Sequence, residues 1–409
     1  MTLNEKIEQY AEAIVKKGIN LHKGEKVRIV TPIDTLPFAR KVMAKAFHAG
    51  AADVYMDYVD DETDKIRYTH APNRAFNAVT PWDRLKADVM TEEKINVIYI
   101  LSPNPDVFSG VDPDVLGKWT RTQAVAYEKY SRARARNDVR WSIAAAATPV
   151  WARKVFPEVN EDESVDRLWR CILHCTRMDA DNPLKALEAH DRSLSNQSRK
   201  LLLKKYRKLY FKGPGTDIEV ALLDNQLWFG GGTTATNGLR IMPNIPTEEI
   251  ATSPHRMGTN GKVRCTMPLV YSGNTIENLW FKFKDGKVVD FGADSCAGLI
   301  HEFLKTDEGA NYLGEVALVP VTSPISKYNR LFYNTLYDEN ASCHFALGKG
   351  FPMCFEGAEG KTEKEMQKEG LNYSKVHLDF MIGSDKLDIV GELPDASREH
   401  VFKNGRWAI

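Results

Sequence analysis

The chain has 409 residues, 43% apolar and 27% charged, an ordinary globular composition with length for two domains. Lysine plus arginine equals aspartate plus glutamate, 55 against 55, so no net field directs the chain to nucleic acid or to an anionic membrane. The six cysteines show no paired framework, the N-terminal segment lacks the apolar core of a signal peptide, and the most apolar run, near residues 143–151, is too short to cross a bilayer. A soluble cytoplasmic protein is expected.

Along the first half, Ile7, Tyr10, Ala11, Ile14 and Val15 recur at helical spacing, and Gly18 closes the segment. A turn at Lys23-Gly24 leads into a strand over 27–31; a helix over 36–48 ends at Gly50, and a second strand covers 53–58. Apolar runs at 95–101 and 139–145 are separated by helical sequence over 113–136. Helices alternating with short buried strands predict an α/β N-terminal domain built on a mostly parallel sheet.

Residues 163–210 read as helical, with Gly213-Pro214-Gly215 as punctuation. Beyond them the pattern becomes alternating. Asn260-Gly261 precedes Val263, Cys265 and Met267; Asp285-Gly286 follows Leu279, Phe281 and Phe283; Asn404-Gly405 lies near the end. Such dipeptides tolerate the positive φ of tight hairpins, so each is expected to be a turn. The C-terminal half is predicted to be β-rich α+β with a helix over 297–304. The expected domains are 1–212 and 213–409.

Several motifs carry little. Gly360-Lys361-Thr362 lacks the glycine of a phosphate loop, since Phe355 stands five residues before Gly360, and Gly230-Gly231-Gly232 lacks a dinucleotide-loop context. Cys171, His174 and Cys175 share one helix face in an apolar run without a second ligand pair, which favours packing over zinc. The basic, tyrosine-bearing segment 199–212 fits an amphipathic helix with a solvated face better than a nucleic-acid patch.

No His-Glu-x-x-His helix exists, so metal ligands, where present, must be scattered. Residues 375–381 read as a strand that turns His377 and Asp379 to one face and Leu378 and Phe380 to the other. An imidazole and a carboxylate so placed can grip a metal; an edge strand with a polar outer face is the plainer alternative. Glu315 interrupts the apolar run leading to Val319, and a carboxylate entering a buried strand needs a partner. Glu248-Glu249 after Pro246 also fits a solvated turn, and His344 between Cys343 and Phe345 also fits a satisfied core histidine.

Taken together, Asn244 to Glu249, Leu313 to Val319, Asp338 to His344 with Ala346-Leu347-Gly348, and His377 to Gly383 resemble the aminopeptidase T and aminopeptidase S family of metallo-exopeptidases. The N-terminal patterns Tyr10-Ala11 and Ala49-Gly50-Ala51 extend the resemblance over the whole chain. It implies that Glu249, Glu315, His344, His377 and Asp379 bind two divalent metal ions, with zinc, cobalt, manganese and magnesium all chemically acceptable. Asp338 and Glu339 become candidates to support those ligands, and Glu248 becomes the candidate general base.

The implied activity is removal of N-terminal residues from peptide substrates with a free N-terminus, by a homodimer. One departure stands out. The family's tyrosine seven residues after the first histidine ligand is here Phe351, which has no hydroxyl, and Tyr373 or Lys349 are the substitute donors to consider. The alternatives are a metal-dependent hydrolase of another amide or ester, or a catalytically poor metal-binding homologue.

Overall fold

The computed structural model describes residues 1–409. The chain forms two compact units, Met1–Glu188 with Gly232–Pro246, and Ala189–Gly231 with Thr247–Ile409. Among the described residues, no helix is long and apolar enough to cross a membrane.

In the first unit, strands β1 (Lys26–Pro32), β2 (Asp53–Val59), β3 (Asn96–Leu101) and β4 (Trp141–Ala145) form a parallel sheet. With the short strand Asn244–Ile245, the spatial order is Asn244–Ile245, β4, β3, β1, β2. Strand β3 is almost wholly apolar and buried, as expected where helices cover both faces of a parallel sheet. The first helix, Leu3–Ala13, starts on a reciprocal cap between Thr2 and Glu5. Its Tyr10 stacks on Phe38 of the helix Leu36–His48, ring centres 5.3 Å apart. The expected α/β architecture is the one observed.

The second unit is built on antiparallel sheets. One has eight strands, in the order Lys287–Gly292, Trp280–Lys284, Pro254–Arg264, Thr216–Leu222, Lys208–Gly213, Asp388–Glu392, Arg398–Lys403, Arg406–Trp407. The other comprises β5 (Phe229–Gly230), β6 (Ile250–Thr252), β7 (Leu313–Leu318), β8 (His344–Gly348) and β9 (His377–Met381), ordered β9-β8-β7-β6-β5. Phe345 and Phe380 on one face of this five-stranded sheet meet Phe211 and Phe281 of the larger sheet, at 4.8 Å and 5.0 Å between ring centres. That face is core. The opposite face holds the candidate site.

Two local expectations fail for identifiable reasons. The helical reading of 163–210 runs too far: helices Glu161–Cys175 and Pro183–Lys204 are followed by the strand Lys208–Gly213. Leu209 and Phe211 point into the core while Lys208, Tyr210 and Lys212 point outward, so a period of two overrides the basic helical pattern. Asn260-Gly261 is not a turn but lies inside the strand Pro254–Arg264. Gly261 takes φ +123° there, where a Cβ would strike the Asp217 carbonyl 2.3 Å away, so its glycine serves close strand approach. Asp285-Gly286 and Asn404-Gly405 do form hairpins, with positive φ at all four residues.

Candidate metal centre

The centre is a consequence of strand register. Residues directly opposite one another in a sheet share a face. Glu315 of β7 pairs with Ala346 of β8, and Ala346 pairs with Asp379 of β9. In the neighbouring row Phe229, Ala251, Ala317 and His344 follow one another across β5, β6, β7 and β8. Alternation then adds His377, two residues before Asp379, and Glu249, two residues before Ala251. Acidic and imidazole side chains therefore stand on one face, separated by Ala251, Ala317, Ala346 and Gly348. These small residues leave the space above the sheet open.

Two glycines make the register attainable. The pairing of β7 with β8 shifts between Leu313 and Glu315, a bulge at Gly314, where a Cβ would lie 2.4 Å from the Gly348 carbonyl. Bulges re-aim side chains, and this one turns Glu315 onto the site face. Gly348, opposite His377, has φ +99° and would bring a Cβ within 2.1 Å of the Val376 carbonyl.

The side chains converge closely. Glu249, Glu315 and His344 each offer a ligand atom, and these lie within 4.8 Å of one another; so do those of Glu315, His377 and Asp379. Glu315 belongs to both groups. His344 Nε2 is 3.4 Å from Glu249 Oε2, and His377 Nε2 is 3.2 Å from Glu315 Oε2 and 3.1 Å from Asp379 Oδ1. Each imidazole is fixed through its other nitrogen: His344 Nδ1 donates to the Ser342 carbonyl at 3.1 Å and His377 Nδ1 to the Lys349 carbonyl at 2.9 Å. Carbonyls cannot donate, so the Nε2 atoms are the ones presented to the carboxylates.

Such a cluster is unfavourable without cations. Two unit negative charges within 4.8 Å of each other repel by roughly 3 kcal/mol or more at an effective dielectric of 20. Accordingly the Glu249 carboxyl is pushed up to about 7, chiefly by burial and then by Glu315. Glu339 is raised well above the ordinary range by burial and by the charges of Glu249, Asp379 and Glu315. Burial opposes protonation of both histidines, yet the surrounding carboxylates raise each of them. Burial also opposes ionisation of Asp379, but the charge of His377 holds its carboxyl below the usual range. Neutral imidazoles would leave lone pairs facing carboxylate oxygens, an arrangement that a cation resolves. The donor set therefore fits a divalent metal.

Of the residues singled out from sequence, Glu249, Glu315, His344, His377 and Asp379 come together here, and Glu248 precedes Glu249 in the chain. Glu248 and Glu249 are 5% and 7% exposed, so the solvated-turn alternative does not hold. Glu248 donates its N–H to Asn340 Oδ1 at 2.6 Å, which ties the turn to the β8 approach. Asp338 does not support a histidine; it accepts N–H groups from Phe332 and Asn334 at 2.7 and 3.1 Å, and burial raises its carboxyl to about 7. Glu339 is buried and feels the charges of Glu249, Asp379 and Glu315, although it belongs to neither of the two close groups. His190 was not legible beforehand. Its Nε2 donates to the Thr247 carbonyl at 2.7 Å and stands 3.6 Å from Glu248 Oε1, but nothing in its polar helical surroundings marks it.

The fold and site define a hydrolase-like scaffold with a carboxylate- and imidazole-lined cation centre on an antiparallel sheet. The family described as thermophilic metalloprotease (M29) matches residues 3–407, and the chain belongs to it. The chain is 41% identical to aminopeptidase 2 of Geobacillus stearothermophilus over 98% of its own length and 97% of that protein. It is 38% identical to aminopeptidase AmpS of Bacillus subtilis, covering 100% and 99%, and 36% identical to aminopeptidase T of Thermus thermophilus, covering 98% of each. The structure of wild-type AmpT from Thermus thermophilus superposes with a TM-score of 0.93 at 35% identity over the full length of both chains.

Proposed function

We propose that this chain is a metal-dependent aminopeptidase that removes N-terminal residues from peptides at a two-metal centre. Membership in a metalloprotease family and whole-chain similarity to proteins named aminopeptidases support the activity. The observation that carries the two-metal reading is that Glu315 is common to two ligand groups, as a bridging carboxylate must be. Glu249 and His344 would complete one position, and His377 and Asp379 the other, with Glu339 added as a further carboxylate. The charge count agrees: Glu249, Glu315, Glu339 and Asp379 with two neutral imidazoles are balanced by two divalent ions.

When bound, such ions lower the pKa of water and polarise a scissile carbonyl. The chain's own contributions are separate. The carbonyls of Ser342 and Lys349 hold both imidazoles in the tautomer that presents Nε2. Glu248, next to Glu249 in the chain, 5% exposed and with Oε1 3.6 Å from His190 Nε2, is the candidate to accept the proton of the attacking water and pass it to the departing amine. Zinc, cobalt, manganese and magnesium all suit these donors. A cytoplasmic homodimer is the expected setting.

The test is elemental analysis paired with hydrolysis of Leu-p-nitroanilide. The expected result is about two divalent ions per chain and activity that a chelator abolishes and added metal restores. Full activity in metal-free protein would end this reading.

A further inference from the structure

The side of the centre formed by β5 and the segment after β8 is aromatic. Phe229, directly opposite Ala251, shares the site face with Glu249 and His344, while its neighbours Trp228 and Gly230 turn to the core. The Phe351 ring lies 5.1 Å from the imidazole of His377 and 6.2 Å from the ring of Phe229, edge to face at 88°. The backbones of both residues are tied to segment 249–253. Phe229 is paired through the sheet register, and the Phe351 N–H donates to the buried Ser253 Oγ at 2.9 Å, two residues past Ala251.

Neither ring is fully covered, although larger hydrophobics elsewhere in this unit are. Two rigid, partly exposed aromatic rings bordering a charged centre are unfavourable in the free protein and become favourable once an apolar group covers them. Ala251 and Ala317 lie beside them along the row to His344 and keep the floor low. A substrate whose first carbonyl is held over the centre must direct its first side chain to one side of it, and this side is the apolar one.

On the aminopeptidase reading above, we infer that Phe229 and Phe351 form the wall that receives the side chain of the substrate's N-terminal residue. The enzyme therefore selects peptides beginning with a bulky apolar residue, such as leucine or phenylalanine, over those beginning with glycine or alanine. A single methylene in an apolar pocket discriminates by about 10-fold or more, so the preference for leucine over glycine should reach at least that. Ser253 acts as a positioning residue for Phe351.

The experiment uses the metal-loaded protein and two readouts. The first is kcat/KM on the p-nitroanilides of leucine, phenylalanine, alanine and glycine. The second is calorimetric binding of leucine hydroxamate and glycine hydroxamate, which needs no turnover. Phe229→Ala should lower kcat/KM at least about ten-fold for leucine and phenylalanine while changing alanine and glycine less than about three-fold, and should collapse the leucine-to-glycine binding ratio. Phe229→Leu should restore most of both. Phe351→Ala should act likewise at unchanged metal content. A uniform loss over all four substrates, or a wild-type protein that binds both hydroxamates equally, overturns the inference. Absence of hydrolysis on every aminoacyl substrate overturns the aminopeptidase reading instead, while the binding ratio still decides the wall.

Discussion

Glu315 and Asp379 face each other across a single alanine: both are register partners of Ala346, one from each side of β8. Neither residue is near the other in sequence, and the gap between their side chains exists because Ala346 has only a methyl group to put there. On the two-metal reading Glu315 serves both ions and Asp379 serves one. Glu315→Gln should therefore reduce bound metal from about two ions per chain to near zero, and Asp379→Asn should leave about one. Elemental analysis of the two variants after dialysis checks this, and equal losses in both would remove Glu315 from the bridging role.

The second prediction concerns protons. Burial and neighbouring charge hold Glu249 at about 7 in the metal-free centre, and Glu339 and His377 higher than their ordinary values. Metal must displace these protons, so affinity should rise with pH across the neutral range. Calorimetry at pH 7 in buffers of differing ionisation enthalpy should report at least one proton released per ion. Binding heats independent of the buffer would contradict it.

Stability of the chelated protein follows from the same groups, with a definite sign. Between its ordinary 4.5 and about 7, Glu249 is protonated in the folded chain and ionised in the unfolded one. The folded state holds more protons there, so this group's contribution to stability falls as pH rises through the window. His344 and His377, also raised, extend the fall above 6.5. Thermal midpoints of the metal-free protein should decline from pH 5 to pH 8, and Glu249→Gln should flatten part of that slope. A midpoint rising over this range in both proteins would show that other groups dominate.

Within β9, alternation separates chemistry from packing. Leu378 is 5% exposed on the core face, between two residues of the centre. Leu378→Ala should cost about 2–5 kcal/mol of stability while retaining metal. His377→Ala should lose metal with a much smaller stability change. Chemical denaturation and metal content, measured on both variants, separate the two; metal loss in Leu378→Ala at full stability would mean the faces are misassigned.

Much of this centre could be read from sequence because strands announce themselves by a period of two. His377-Leu378-Asp379 displays that period within three residues, and Glu315 stands out in an apolar run. What could not be read is set by register. Nothing local shows that Ala346 lies between Glu315 and Asp379, or that Phe229 shares a row with His344, because those partners are brought together only by cross-strand hydrogen bonds. His190 reaches Thr247 from a helix whose sequence is ordinary, so its role is purely tertiary. The misread segment 199–212 failed differently: lysines outside and leucine or phenylalanine inside satisfy a helix and a strand almost equally over so few residues.

Glu248→Gln should keep its metals and lose about 10²–10⁴-fold in kcat, the usual contribution of a general base. The substitution preserves volume and the backbone N–H to Asn340, so folding should be undisturbed. If Glu248→Gln loses metal while Glu249→Gln keeps it, the two roles are exchanged.

The last prediction returns to Phe351, where related enzymes are expected to carry tyrosine. Its ring centre is 5.1 Å from that of His377 and its backbone N–H is held by Ser253, so Phe351→Tyr adds a hydroxyl to a ring that already borders the centre. A preorganised donor to developing oxyanion charge is worth about 2.7–4 kcal/mol when removed from enzymes that evolved with it. An added donor lacks a surrounding shell built to hold it, so a smaller gain, on the order of ten-fold in kcat, is expected for Phe351→Tyr. KM should change little, because the bond forms mainly in the transition state. Tyr373 is the competing donor, but it is 36% exposed, and burial and then the nearby Glu363 carboxylate raise its hydroxyl above the ordinary range. Tyr373→Phe should therefore be nearly silent. Steady-state kinetics on Leu-p-nitroanilide for both variants decides the matter: an unchanged Phe351→Tyr beside a severely slowed Tyr373→Phe would place the donor at Tyr373 and leave Phe351 with the apolar wall alone.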